Sequence, residues 1–100
     1  MTTYQKTEKL LKNYRLLQMG EQSKRTRRTV ERINRAIADI SDDKYIQIIK
    51  LYYFENQKVE AVAMNLNLSR STVYYHRERL VEMLAVILFA DDFIEEILKD

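Results

Sequence analysis

The side chains that most often do chemistry are scarce in this chain. It holds one histidine, His76, and no cysteine. That excludes a thiolate metal site, a disulfide and a cysteine nucleophile, and one imidazole is too few for a histidine-based metal cluster. The neighbouring carboxylates Asp42/Asp43, Asp91/Asp92 and Glu95/Glu96 read as helix starts and solvent-facing charges, and they make poor acid–base pairs. With a single glycine, Gly20, there is no glycine-rich phosphate loop. No triad pattern accompanies His76 either. The expectation is a protein that is not an enzyme and that uses no metal and no cofactor.

What remains is the chemistry of polyanion recognition. Between Ser69 and Leu80 the chain reads SRSTVYYHRERL. Arg can pair with guanine, Ser can donate or accept, and Glu can accept from cytosine. Arg70, Ser71, Tyr74, Tyr75 and Glu78 are therefore candidates for base edges. Ser69, at a helix start, can help hold a phosphate, and Arg77 and Arg79 suit phosphates. Upstream, SKRTRR supplies Lys24, Arg25, Arg27 and Arg28 as further phosphate candidates, since such contacts raise affinity without reading sequence. Each group also has a plainer reading. Tyr74 and Tyr75 can be packing residues with wet hydroxyls. Glu78, Arg79 and the SKRTRR run can be solvated helix faces. His76 falls on an apolar face and reads as a hydrogen-bonded core or half-buried histidine.

These residues need helices to position them. The chain has no proline, so strand-rich turn chemistry is missing. The pattern predicts an all-α protein of five or six helices. The first spans about Thr3 to Met19, with capping-box spacing from Thr2 to Gln5 and a stop at Gly20. The second spans about Gln22 to Ile40, with a seam of Val30, Ile33, Ile37 and Ile40. Ser41 is expected to cap a third, apolar on most sides, that ends near Phe54. A short helix from Lys58 to about Asn67 follows. Ser69 caps a long one that can reach Phe89, and Asp91 or Asp92 starts the last.

The stretch from about Val59 to Leu80 has the spacing of a helix-turn-helix. Ala63 is the small residue where two helices cross, with Val62, Leu66 and Leu68 around it. Asn67 can take the left-handed conformation of a tight turn. Ser69 caps the second helix, and Val73, ten residues after Ala63, packs back on the first. With Val73 at the centre of the buried face, helical stepping places His76, Leu80, Met83, Leu84 and Ile87 near it. In such motifs the second helix offers its N-terminal turns to the major groove.

Charge is divided along the chain. Residues 1–40 hold ten Lys/Arg against four Asp/Glu, and residues 81–100 hold one against six. A basic front and an acidic tail suggest that one part of the molecule meets a polyanion. The run from Leu80 to Ala90 is too apolar to hide on one stripe of a small monomer, so Val86, Leu88, Phe89, Phe93 and Ile97 are expected at a homodimer interface. The apolar run from Met83 to Ala90 is far short of a membrane span, and the N-terminus lacks a signal-peptide core, so a cytoplasmic location is expected. One helical domain, 1–100, is expected, divided into a basic helical pair (1–40), a helix-turn-helix region (41–90) and a C-terminal helix (91–100).

The run DDKYIQIIKLYYFENQKVEAVAMNLNLSRSTVYYHRERLVEMLA resembles the C-terminal region of ArpU/RinA-type phage late-gene transcriptional regulators, whose helix-turn-helix is similar to region four of sigma factors. Tyr53-Phe54, the alanine-containing helix, the turn from Leu68 to Tyr74 and the apolar exit from Leu80 to Ala85 carry the resemblance. Asn67 replaces the usual glycine, and His76 stands where an aliphatic or aromatic residue is common. The resemblance implies binding to double-stranded DNA upstream of phage late operons in a bacterial host, with host RNA polymerase as a further partner. Two alternatives stay open. One is a phage packaging protein similar to a terminase small subunit. The other is a helical interaction module that acts on polymerase without touching DNA.

Overall fold

A computed structural model describes residues 1–99. Among them are seven α-helices and no strand: α1 (Thr3–Lys12), α2 (Tyr14–Met19), α3 (Lys24–Asp39), α4 (Gln47–Ile49), α5 (Val59–Leu66), α6 (Arg70–Leu88) and α7 (Ala90–Leu98). None is long and apolar enough to cross a membrane.

The extra helix comes from Asn13. The expected single helix from Thr3 to Met19 starts with its capping box in place: Gln5 N–H donates to the Thr2 hydroxyl and Thr2 N–H to the Gln5 side-chain oxygen Oε1. It breaks where the Asn13 side chain donates to the Lys9 carbonyl at 2.7 Å, offering the backbone a local alternative to helix. Ser23, whose hydroxyl accepts from Thr26 N–H, caps α3. The apolar seam of α3 faces inward as expected, with Val30, Ile33, Ile37 and Ile40 buried.

The third expected helix differs more. Ser41 does not start it. Residues 41–46 are turns, because the Asp43 carboxylate accepts from Tyr45 N–H at 2.9 Å and is held from across the fold by Arg79. The helix begins at Gln47 and continues from Lys50 to Phe54 as π-helix, where Glu55 N–H reaches the Lys50 carbonyl. Neighbouring tyrosines on this turn serve different surfaces. Tyr53 is buried and donates to Glu8 at 2.8 Å, while the Tyr52 ring meets Arg77.

Two apolar clusters hold the helices together. In the larger, Leu11 of α1, Ile33, Ile37 and Ile40 of the α3 seam, Ile46, Ile49 and Tyr53 enclose Leu80, Val81, Leu84 and Leu88 of α6. In the smaller, Ile48, Val59, Val62 and Ala63 enclose Val73. So α6 is the spine: its first half packs on α5 and its second half on α1 and α3. This corrects the expected buried stripe. Val81, Ala85 and Leu88 are inside and Ile87 is exposed, because helices pack on α6 from several sides and turn its buried arc away from Ile87.

The same packing takes one expected dimer residue, Leu88, out of reach of a partner. Leu88 belongs to the core, and its carbonyl accepts from Arg32. Phe89 is half-buried against that core, with Lys6 and Arg32 over its ring. Phe93 is half-buried, while Val86 and Ile97 are exposed.

Candidate functional site

The α5–α6 pair is locally encoded. Ala63 lets the helices approach, and its carbonyl accepts from Leu68 N–H at 2.9 Å. Asn67 ends α5 at φ 55° and ψ 48°, the left-handed conformation, which Asn tolerates better than most residues. The Ser69 hydroxyl then accepts from Thr72 N–H at 3.2 Å and caps α6. Val73, fully buried, seats α6 against Val62 of α5.

That seating decides what faces water. From Arg70 to Leu80 the exposed residues are Arg70, Ser71, Tyr74, Tyr75 and Glu78, and every other residue of that stretch is buried or half-buried. These five form one outward strip over the first turns of α6. Arg70 pairs with Glu60 at 3.5 Å, but both side chains are about two-thirds exposed, so the pair contributes little and can open.

Aromatic packing supports the strip on both flanks. On one, His76 stacks on Tyr45 at 3.6 Å between ring centroids and meets Tyr75 edge-on, while the Lys44 ammonium lies 5.6 Å from the Tyr45 ring. On the other, the Arg77 guanidinium lies 4.7 Å from the Tyr52 ring and 5.1 Å from the Tyr74 ring. A cleft beside Tyr74 is lined by Lys12, Tyr52 and the stretch from Asn56 to Glu60. Lys58 stands at the start of α5, and no side chain caps that helix.

Several phosphate candidates are therefore placed elsewhere. Arg79 does not face out. Its guanidinium makes two hydrogen bonds to Asp43, at 2.9 and 3.0 Å, and its Nε–H donates to His76 Nδ1 at 3.1 Å. The Arg79 hydrogen bonds, then the Tyr45 amide, hold the Asp43 carboxyl below the usual carboxylate range. Burial, then the neighbouring Arg79 charge, pushes His76 below the usual imidazole value. Arg77 is half-buried between its two tyrosines, with Nε enclosed and unpartnered. The Ser69 hydroxyl is engaged by its own cap.

The run Lys24, Arg25, Arg27 and Arg28 is exposed, but it stands apart from the strip. Arg32 of α3 meets Leu88 at the far end of α6, and the chain after α3 reaches Arg79. Since α6 has 19 residues, Arg70 and Leu88 lie about 27 Å apart along its axis. The basic run precedes Arg32 on the same helix, so it belongs with the Leu88 end of the spine and not with the strip.

Lys44, Lys58 and Lys12 were not singled out by the sequence. Lys58 stands at a visible helix start. Lys44 and Lys12 come beside the strip only through contacts between distant segments.

A family model described as "Protein of unknown function (DUF1492)" matches residues 14–85, which span α2 to most of α6, and the chain belongs to that family. Nothing matches among curated proteins, and nothing matches among solved structures.

Proposed function

We propose that this member of the DUF1492 family is a sequence-specific, DNA-binding transcriptional regulator in which α5 and α6 form the helix-turn-helix. The observation that carries the reading is the exposed strip on α6. The five side chains with base-reading chemistry are the ones left outward when Val73 is buried. Arg70 and Ser71, on the first turn, suit base edges in the major groove, with Tyr74, Tyr75 and Glu78 one and two turns on. Lys44 on one flank and Lys58 and Lys12 on the other suit the phosphates that border a groove, and the uncapped start of α5 adds free N–H groups. Arg77 and Arg79 act as positioning residues that fix Tyr74 and His76.

The resemblance of about Asp42 to Ala90 to phage late-gene regulators supports a role in activating late operons, with double-stranded DNA as the partner and host RNA polymerase as a second. On this reading the protein works in the bacterial cytoplasm and carries out no catalysis.

Binding to duplex DNA should weaken steeply as salt rises, because contacted phosphates release counterions. Titration at several salt concentrations should show that Lys44→Ala and Lys58→Ala each weaken binding to all duplexes and flatten the salt dependence. Wild-type protein that binds no duplex at physiological salt would refute the reading.

A further inference from the structure

The last helix offers two faces. At 100° per residue, Asp92, Phe93 and Glu96 lie together, and they face their own chain. Glu96 accepts from Thr3 N–H at 2.7 Å, Asp92 pairs with Lys6 at 3.3 Å, and Phe93 is half-buried. Asp91, Ile94, Glu95 and Leu98 lie on the opposite face. Ile94 is 55% exposed and Leu98 77%. No salt bridge among the described residues uses Asp91 or Glu95. This face is two bare aliphatic side chains with two carboxylates along one edge and the exposed Ile97 along the other.

The complementary surface is on the same molecule. An open groove between α1, α2 and α3 has Leu10, Leu17, Phe89 and Met1 as apolar lining and Lys9 and Arg32 among its polar residues. Past Thr29 and Arg32 it runs into the recess lined by Arg25 and Arg28. An apolar bed edged by cations fits an amphipathic helix with aliphatic and acidic side chains.

We propose that the groove receives the outer face of α7 from a second copy of this chain. Placement favours a closed dimer. Groove and helix border each other, since Phe89 lines the groove one residue before α7 and Lys6 lines it while pairing with Asp92. A two-fold axis near Phe89 brings each α7 to the other copy's groove in one isologous contact. This assigns the basic run on α3 to pairing between copies. It does not depend on the DNA-binding reading.

A complementation experiment on the full chain tests this by sedimentation, with circular dichroism to follow helicity. Wild type should be a dimer at micromolar concentration. A variant with a reversed groove, Lys9→Glu with Arg28→Glu, should be monomeric and as helical as wild type. So should a variant with a reversed helix, Asp91→Lys with Glu95→Lys. Mixed in equal amounts, the two should dimerise, because each groove then meets a helix of opposite charge. Leu98→Asp should be monomeric with retained helicity. A monomeric wild type, charge variants that remain dimers alone, or a mixture that stays monomeric would overturn the proposal.

Discussion

Arg79 shows how far a side chain's surroundings govern its role. An arginine midway along α6 suits a phosphate by type, yet its donors go to Asp43 and His76. Hydrogen bonds to charged groups typically contribute about 1.5–3 kcal/mol, so this cluster fastens the loop before α4 to α6. Its pH response follows from geometry. His76 Nδ1 accepts from Arg79, and protonation would turn that acceptor into a donor facing a cation. Burial first, and then the Arg79 charge, hold His76 in the folded state below its ordinary pKa of about 6.5. The unfolded chain binds more protons in that range, so the stability is present above it and lost as pH falls. Asp43, also lowered, adds a loss in the same direction as pH drops through and below the carboxylate range. Thermal melts should show the melting temperature falling from pH 7.5 to pH 5. His76→Phe, which keeps a ring against Tyr45, should reduce that fall. An unchanged pH dependence in the variant would show that His76 is not the group responsible.

At the scale of elements, the α5–turn–α6 pair rests on a few local choices. Asn67 is in the left-handed region, where a β-carbon costs roughly 1–2 kcal/mol and Asn partly escapes the cost. Asn67→Gly should leave the melting midpoint near wild type or raise it, and Asn67→Ala should destabilise by about 1 kcal/mol in denaturant unfolding. Equal stability of the two would mean that the turn is not held there. This part of the fold was legible because its determinants, Ala63, Asn67, Ser69 and Val73, lie within one short stretch and act through local geometry. The outward strip was legible for the same reason, since burying Val73 sets the orientation of the first turns. The inner face of the second half was not. Whether Val81 or Ile87 is covered depends on α1 and α3, which come from far along the chain. The loop at Asp43 was misread as a helix start because its partner, Arg79, is 36 residues away. Charge alone made Lys24 to Arg28 phosphate candidates, and only the course of α3 past Leu88 sets them apart from the strip.

The whole molecule is polar in two senses. The strip on α6 occupies one end of a spine about 27 Å long, and the basic run and α7 lie toward the other. Replacing Arg27 and Arg28 with Ala should therefore leave the affinity of one protomer for a single duplex half-site within about 0.5 kcal/mol, as expected for surface changes away from a contact. A large loss on a half-site probe would place the basic run in the same footprint as the strip.

The central claim is that the exposed strip of α6 reads DNA sequence. Selection of bound duplexes from a random pool, at physiological salt, by wild type and by Arg70→Ala and Tyr75→Ala proteins of equal helicity, tests it most directly. Wild type should recover one consensus. Each variant should lose preference at a distinct position of that consensus, worth about 1–3 kcal/mol per lost base contact. Recovery of the wild-type consensus at wild-type affinity by both variants would contradict the claim.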